Sequence, residues 1–338
     1  MGCDDLGMRA AVRTVYGPPE VVTVIDVPRP EICDTELLVK VHATTVNRTD
    51  CHYRSAKPFP MRFLSGLRRP KVPILGTEFA GRVAAIGSAV TTLAVRDRVF
   101  GYVEGRFGAH AEYLAVRAGG LVARIPEGLS FEEAAPGTEA SHYALSHLRK
   151  AGVTSGHEVL VYGASGGIGS AAVQLAKAMG ATVTAVCATD GLGMVARLGP
   201  DRVVDYTGED FASDVQRYDL LFDAWGMLSF PATRHLMKQT GIFMSTGPGP
   251  HLQNLYRLPL QPLVRGRRVV FAPPKFDPET LRYLAELLSD GRLTPMIDRR
   301  FALEQIVEAY LYVETGQKLG NVVIVVDPGE GSEPSTDN

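Results

Sequence analysis

The amino-acid sequence predicts an α/β protein in which a β-rich segment precedes a doubly wound parallel sheet. Over residues 8–132, apolar and polar residues alternate and prolines recur, which is typical of half-buried strands and argues against long helices. From residue 158 onward, strand patterns alternate with helical patterns, which predicts a parallel sheet covered by helices on both faces. A glycine-rich turn joins the first strand of this region to its first helix.

The change of character falls near Phe131, where residues 131–151 take helical spacing. The strands predicted beyond it are 158–163, 182–187, 202–205, 219–223, 241–245 and 268–272. The helices predicted there are 168–179, 191–198, 209–215, 230–238 and 278–290. Residues 294–327 return to a strand, a helix and a strand.

The glycine-rich turn is the most informative motif of the chain. Its glycines are Gly163, Gly166, Gly167 and Gly169, and the helix that they open leads into a second strand. Glycines in this setting let the backbone turn tightly and approach a pyrophosphate, whose charge then lies at the helix N-terminus. A glycine triplet alone also fits a helix-packing turn, but the two strands and the helix together predict a dinucleotide-binding site.

Length and composition limit the function classes. A chain of 338 residues is long enough for two domains, and 45% apolar and 21% charged residues are typical of a globular protein. A net charge of −2 gives no reason to expect nucleic acid binding. No apolar run reaches the ~18 residues of a membrane span and no secretion signal is evident, so we expect no membrane partner and a cytoplasmic location. Cys3, Cys33, Cys51 and Cys187 have spacings that suit neither a zinc site nor a disulfide framework.

Several separated motifs point to one family. They are VNRTD (46–50), PILGTEFAGRVAAIGSAV (73–90), DRVFG (97–101), YGASGGIGSAAVQLAKAMGA (162–181), LFDAWG (221–226) and GNVVIVV (320–326). With these motifs in this order, the chain resembles the medium-chain dehydrogenase/reductase superfamily, in its zinc-independent, quinone oxidoreductase-like (zeta-crystallin) branch.

The resemblance implies a fold of two domains. A GroES-like β-rich catalytic domain would comprise residues 8–132 and 275–327, and a Rossmann NAD(P)-binding domain would comprise residues 133–274. The active site would then lie in the cleft between them, at the carboxyl ends of the Rossmann strands. The tail, residues 328–338, is polar and rich in helix breakers, so we expect it to be disordered.

The resemblance also bears on metal binding. Zinc-dependent relatives carry a Cys and a His where this chain has Asn47 and Thr77, and their third catalytic ligand would fall near Pro136. None of these residues is a good zinc ligand, since zinc prefers thiolate, imidazole or carboxylate. We therefore expect no metal.

The cofactor implied by the resemblance is NADPH. Cys187 stands where an NAD-specific site normally has a carboxylate, and Tyr206 matches a family tyrosine that contacts the 2′-phosphate. Asp190 occupies a place where the family often has a basic residue. This difference weakens the case for NADPH over NADH. The cofactor-binding residues implied are Ser141, Gly163, Ser165, Gly166, Gly167, Ile168, Gly169, Ala188, Thr189, Tyr206, Thr246, Gly247, Pro248, Phe271, Ala272 and Pro273.

Four residues near the start of the resemblance are candidates for catalysis. Asn47 is expected either to donate a hydrogen bond to a substrate oxygen or to cap a turn, and Asp50 to organise the site. His52 and Tyr53 are rival donors of the second proton, and His52 could instead only pack.

The predicted function is zinc-independent, NADPH-dependent reduction of quinones or α,β-unsaturated carbonyls, small molecules that accept a hydride without a Lewis acid. One alternative is an enoyl or tailoring reductase that acts on a carrier- or CoA-bound chain, to which the arginine-rich part, 62–71, of the loop 57–71 would be suited. Another is a non-catalytic, crystallin-like NADPH-binding protein. The family also implies a homodimer, joined through an edge strand at residues 269–272.

Overall fold

The computed structural model describes residues 7–57, 59, 61–103, 105–247, 249–250, 266–270 and 276–327. These residues divide into two compact units. The first unit contains the described residues up to Glu139, together with Phe276–Ser289 and those from Ile297 onward. The second unit contains the described residues from Ala140 to Val270, together with Asp290–Met296.

The division differs from the predicted domain boundaries in two places. Residues 133–139 belong to the first unit, because Thr138 and Glu139 are hydrogen-bonded to Glu78 in that unit. Residues 290–296 belong to the second unit, where the backbone N–H of Thr294 donates to Gln174 Oε1 at 2.8 Å. The predicted boundaries rested on the change of pattern near Phe131 and on the family resemblance, and neither of these registers short polar contacts of this kind.

The first unit is built mainly from antiparallel strands. Its strands are β1 (Gly7–Val12), β2 (Thr23–Pro28), β3 (Glu36–Val46), β4 (Glu78–Ile86), β5 (Arg98–Tyr102), β6 (Tyr113–Arg117), β7 (Val122–Arg124), β14 (Ile297–Ala302) and β15 (Asn321–Val325). Its helices are α1 (Arg48–Ser55), α2 (Met61–Ser65), α3 (Phe131–Ala134), α8 (Pro278–Ser289) and α9 (Ile306–Glu314). In the part of the chain that the structure describes, one sheet has the order β14-β15-β3-β4-β5-β7, with β6 also on β3, and β1 pairs with β2.

The long strand β3 holds this unit together. It pairs with β15, β4 and β6, and its buried apolar residues are Leu37, Val39, Val41, Ala43 and Val46. Leu75, Phe107, Ile306 and Tyr310 pack beside Val46 in one core cluster. The helix α1 starts directly after β3, so the residues at its N-terminus lie at the end of the central strand.

The second unit is a parallel sheet with helices. Its strands are β8 (Glu158–Tyr162), β9 (Thr182–Cys187), β10 (Arg202–Asp205), β11 (Tyr218–Asp223), β12 (Met237–Ser245) and β13 (Arg268–Val270). Its helices are α4 (Glu139–Ala151), which begins one residue before the unit, α5 (Gly167–Ala178), α6 (Leu192–Ala196) and α7 (Phe230–Thr233). Within the described ranges, the six strands are all parallel, in the order β10-β9-β8-β11-β12-β13. This is the doubly wound order of dinucleotide-binding sheets, and the predicted fold class is confirmed.

One predicted helix of this unit is wrong, and another is shorter than predicted. Residues 209–215 form only a 3-10 turn, Phe211–Ser213, because Asp210 and Asp214 accept hydrogen bonds from nearby backbone N–H groups instead of continuing a helix. Over residues 230–238 the α-helix Phe230–Thr233 continues as a 3-10 turn, Arg234–Leu236, and the helical segment ends there because Met237 already pairs with Tyr218 in the sheet. The apolar residues of this segment therefore serve a strand as well as a helix.

Several sequence predictions lie outside the described residues. They concern the tail 328–338 and the cofactor contacts Pro248, Phe271, Ala272 and Pro273. Among the described helices, none has both the length and the apolar character that a bilayer crossing requires.

The glycine-rich turn has a strict steric requirement. Gly163 has a φ of +76°, a conformation that L side chains rarely adopt. At Gly169, a Cβ atom would lie 2.1 Å from the carbonyl oxygen of Gly163 and 2.8 Å from the Cα of Ala164. The start of α5 therefore packs directly on the backbone of the preceding turn.

We expect Gly169→Ala to lower the free energy of unfolding by about 1–3 kcal/mol, because the backbone must move to accept the methyl group. Gly193→Ala is the matched control, since Gly193 lies in α6 and an added methyl group there would have no neighbouring atom within 4 Å. The control should be neutral or more stable by up to about 1 kcal/mol. Thermal unfolding measures both, and equal melting of Gly169→Ala and the unsubstituted protein would contradict the steric argument.

Candidate active site and nucleotide-binding site

The glycine-rich turn presents backbone groups at the carboxyl end of β8. The N–H groups of Gly163 and Ala164 both donate to the carbonyl oxygen of Val186, each at 3.0 Å, which fixes the turn against β9. Gly166 is the N-cap of α5 and provides no side chain to cap it. The first N–H groups of α5 thus have neither an intrahelical acceptor nor a side-chain cap, which suits them to an anionic phosphate.

A second loop at the same edge is fixed by a carboxylate. Asp223 is fully buried at the end of β11 and accepts hydrogen bonds from Gly226 N–H, Leu228 N–H and the Ser245 hydroxyl, at 2.8–2.9 Å. The predicted contacts Thr246 and Gly247 lie beside it, and Thr246 Oγ1 donates to the carbonyl of Ala224. Asp223 was not predicted as a site residue, although it stands in the LFDAWG motif.

The end of β9 carries the residues predicted to select the cofactor. Cys187 is buried, Ala188 is half-buried and Thr189 is exposed. Tyr206 is 43% exposed and its ring lies 5.6 Å from that of Tyr162.

A carboxylate that the sequence reasoning missed lies among these residues. Asp205 pairs with Cys187 across the sheet, and its side chain accepts hydrogen bonds from Thr189 and Thr207 hydroxyls, both at 2.6 Å. These hydrogen bonds lower the pKa of Asp205, so it is charged near neutral pH. The absence of a carboxylate at Cys187 therefore does not leave this edge free of negative charge.

The remaining predicted cofactor residues are placed as follows. Ser165 and Ile168 are half-buried at the turn and Gly167 is buried. Ser141 is buried within α4.

In the first unit, Asn47 caps α1. Its Oδ1 accepts from the Asp50 N–H at 3.0 Å, and its Nδ2 donates to Thr77 Oγ1 at 3.0 Å and to Glu139 Oε2 at 2.6 Å. Both amide hydrogens are thus already engaged. The geometry fits the capping alternative rather than direct donation to a substrate oxygen.

Asp50 organises the same turn. It is completely buried and accepts hydrogen bonds from the backbone N–H groups of Asn47, at 3.1 Å, and Gly76, at 3.0 Å. Burial and then the neighbouring Glu139 raise the pKa of Asp50 well above its usual range. The buried imidazole of His110 lies 3.9 Å away, and burial lowers its pKa to about 4, so it is neutral.

Two further carboxyl groups complete a buried polar cluster, which was not predicted. Glu139 accepts hydrogen bonds from Asn47, Thr77 Oγ1 at 2.7 Å and Thr49 Oγ1 at 2.6 Å. Glu78 accepts from Thr138 Oγ1 at 2.8 Å, from the Glu139 N–H at 2.6 Å and from Thr45 Oγ1 at 2.6 Å. The exchange is reciprocal, because the threonine before each glutamate donates to the other glutamate.

The sequence holds a signal for this cluster. The tripeptide Gly-Thr-Glu occurs twice, at 76–78 and at 137–139. In the fold the two copies supply both buried glutamates and the two threonines that cross between them.

The two predicted proton donors differ in their surroundings. The side chain of His52, on α1, keeps much of its surface exposed, and loss of part of its hydration together with the nearby Arg48 lowers its pKa. Tyr53 packs on Phe107, with 4.5 Å between ring centres, and burial raises its pKa.

The polar side-chain atoms of Asn47 and Thr77 are engaged in hydrogen bonds. The amide nitrogen of Asn47 is a hydrogen donor, and Thr77 Oγ1 is bonded to both Asn47 and Glu139. No group of three or more His, Cys, Asp or Glu side chains arranged to hold a metal is found in the described parts of the chain.

We expect Asp50→Asn to lower the free energy of unfolding by about 1–3 kcal/mol, because an amide accepts at one side only and leaves one buried N–H unpaired. Asp26→Asn is the control, since Asp26 is exposed on β2. Urea denaturation of both variants measures the difference. If Asp50→Asn were as stable as the control, Asp50 would not be needed to hold this turn.

Comparison with known proteins gives matches over both units. Residues 33–127 match the family described as alcohol dehydrogenase GroES-like domain, and residues 198–324 match the one described as zinc-binding dehydrogenase. The second match excludes positions 47 and 77.

Similar proteins cover nearly the whole chain. The 2-methylene-furan-3-one reductase of Solanum lycopersicum is 32% identical, over 94% of this chain and 79% of the relative. The chloroplastic NADPH-dependent alkenal/one oxidoreductase of Arabidopsis thaliana is 30% identical, over 95% of this chain and 80% of the relative. The structure of the quinone oxidoreductase from Coxiella burnetii superposes with a TM-score of 0.84 at 30% identity, covering 95% of this chain and 100% of that one. The chain therefore belongs to the medium-chain dehydrogenase/reductase superfamily and is an oxidoreductase of its quinone oxidoreductase-like group.

Proposed function

We propose that the chain is a zinc-independent, NADPH-dependent reductase of quinones or α,β-unsaturated carbonyls. The observation that carries this proposal is that Asn47 and Thr77, at two positions where zinc-dependent relatives would have metal ligands, are hydrogen-bonded to each other and to Glu139. Without a Lewis acid, a simple alcohol or ketone lacks the main stabilisation of developing charge. A conjugated acceptor delocalises the incoming charge, so positioning and a few hydrogen bonds suffice.

The residues present fit a dinucleotide. The N–H groups at the start of α5 and around Ser165 would hold the pyrophosphate, and the loops at Thr189 and Thr246 would border the rest of the molecule. When bound, the reduced dinucleotide supplies the hydride. The protein's own part is to bind it, to orient the acceptor and to supply a proton.

The choice of NADPH rests on two supports. Tyr206 is exposed at the end of β10, where its hydroxyl could reach a 2′-phosphate, and the Arabidopsis relative is named as NADPH-dependent. The charged Asp205 acts against the 2′-phosphate, so we expect a moderate rather than absolute preference over NADH.

A reductase of carrier- or CoA-bound enoyl chains is a second candidate. It is favoured by the exposed Arg68 and Arg69 beside the exposed Phe63 and Leu67, a surface suited to an anionic carrier with an apolar chain. We also propose a homodimer through β13, which ends the order of described strands in the sheet of the second unit. The cytoplasmic location stays a prediction, since the Arabidopsis relative is named chloroplastic.

The purified protein should oxidise NADPH when 9,10-phenanthrenequinone or an enone is added, with no gain in rate on addition of zinc. The assay follows NADPH absorbance, with metal analysis of the same sample and an enoyl thioester as a parallel acceptor. Preferential turnover of the thioester would favour the second candidate. Tight NADPH binding without turnover of any acceptor would favour the non-catalytic alternative, and stoichiometric zinc needed for activity would contradict the proposal.

We expect Tyr206→Phe to reduce kcat/KM for NADPH by about 10-fold, because the phosphate loses one hydrogen bond to the hydroxyl. The value for NADH should stay unchanged, since NADH has no 2′-phosphate. Tyr113→Phe, in β6 of the first unit, is the control. An equal loss with both cofactors would show that Tyr206 does not select between them.

A further inference from the structure

We propose that Glu139 supplies, through the hydroxyl of Thr49, the proton that completes reduction of the substrate. The inference rests on the proposed function, because it needs a substrate that has received a hydride. Thr49 would be the group in contact with substrate, and Glu139 would act through it. Neither residue was predicted from the sequence.

The hydrogen bonds decide which oxygen of Glu139 can carry a proton. Asn47 Nδ2 and Thr77 Oγ1 both donate to Oε2, at 2.6 and 2.7 Å. Asn47 cannot turn its amide without losing the Asp50 N–H that Oδ1 accepts. Since Oε2 has both acceptor sites filled, a proton on this carboxyl group must sit on Oε1.

Oε1 faces only one hydrogen-bonding side chain among the described contacts, the hydroxyl of Thr49 at 2.6 Å. When Glu139 is ionised, Thr49 donates to it and its hydrogen is engaged. When Oε1 is protonated, it donates to Thr49 Oγ1, and the hydroxyl hydrogen of Thr49 is free to point elsewhere. Thr49 is half-buried, whereas Glu139 is buried, so Thr49 is the member of the pair open to an exterior partner.

The charges around Glu139 favour a retained proton. The carboxyl groups of Glu78, at the start of β4, and Asp50, on α1, face Glu139, and burial raises the pKa of both. Lys318, before β15, interacts with Glu78, and burial lowers its own pKa to about 8. Glu78 is the better stabilised as an anion, because the N–H groups of Thr138 and Glu139 and two threonine hydroxyls donate to it. Burial and then the charge of Glu78 raise the pKa of Glu139 to about 7.

The two donors predicted from the sequence are less suited to this role. The lowered pKa of His52 leaves its imidazole mostly neutral at neutral pH. Tyr53 packs its ring on Phe107, and burial raises the pKa of its hydroxyl, so it gives up its proton less readily. The Glu139–Thr49 pair holds its proton near neutral pH and passes it along one short hydrogen bond.

The step balances as follows. The hydride from the reduced dinucleotide adds to the acceptor, which leaves an anion on the substrate. Thr49 Oγ1 gives its hydrogen to that anion and takes the proton of Glu139 Oε1, so one O–H bond breaks at each residue and one forms at Thr49. The acceptor is reduced by two electrons, the dinucleotide is oxidised, and the ionised Glu139 regains a proton from solvent.

The test compares Thr49→Val, which removes the hydroxyl, with Thr49→Ser, which keeps it. We expect Thr49→Val to lower kcat by about 100-fold and Thr49→Ser to stay within about 3-fold of the unsubstituted protein. The kcat of the unsubstituted protein should fall as pH rises through about 7, and Glu139→Gln should be slow at every pH without that fall. Equal losses in Thr49→Val and Thr49→Ser, or an unchanged pH profile in Glu139→Gln, would overturn the proposal.

A readout without cofactor or substrate tests the proton on Glu139 even where a variant is inactive. The folded pKa of about 7 exceeds the ordinary value of 4.5, so the folded chain binds a proton that the unfolded chain has released. Stability from this group is therefore present below about pH 4.5 and is lost as pH rises to about 7. Glu139→Gln should flatten this decline in melting temperature, and Glu127→Gln, which removes an exposed carboxylate, should not.

An unchanged decline in Glu139→Gln would also overturn the proposal. Failure of the proposed function is separate: it would appear as no NADPH oxidation by the unsubstituted protein with any acceptor.

Discussion

The reciprocal hydrogen bonding of Glu78 and Glu139 is the interaction on which the first unit depends. Each carboxyl group accepts a hydroxyl hydrogen from the threonine that precedes the other, and Glu78 also accepts the N–H of Glu139. Buried carboxyl groups are costly unless their oxygens are paired, and here hydroxyl, amide and backbone donors surround them closely enough to offset that cost. The network thereby ties β4 and the start of α1 to residues 138–139.

The same network explains the chemistry that we propose for the site. A metal needs ligands with free lone pairs, whereas the side chains of Asn47 and Thr77 are hydrogen-bonded to each other and to Glu139. In the reaction that we propose, the first unit contributes a protonatable carboxyl group, Glu139, hydrogen-bonded to the hydroxyl of Thr49, in place of a Lewis acid. The second unit has a glycine-rich turn whose backbone N–H groups suit a pyrophosphate, which under the proposal belongs to the dinucleotide that supplies the hydride.

Features written in local patterns could be predicted. The strands of the second unit follow from apolar runs between breakers, and the turn at Gly163 follows from its glycines. Features that depend on distant partners could not: Glu139 and Asn47 are 92 residues apart, and the sequence gives their pairing only as a repeated Gly-Thr-Glu. Asp205 was missed because it reaches the end of β9 from the neighbouring strand. The helix predicted over 209–215 does not form, because aspartate side chains bind backbone N–H groups there. The spacing of apolar residues carries no information about such hydrogen bonds.

The central claim is that the buried carboxyl group of Glu139 carries a proton near neutral pH. Infrared difference spectroscopy between the unsubstituted protein and Glu139→Gln, without cofactor, measures this directly. We expect the C=O band of a protonated carboxyl group in the unsubstituted protein at about pH 6, converting to carboxylate bands as the pH passes about 7. A difference spectrum that shows only carboxylate bands at pH values well below this range would contradict the account.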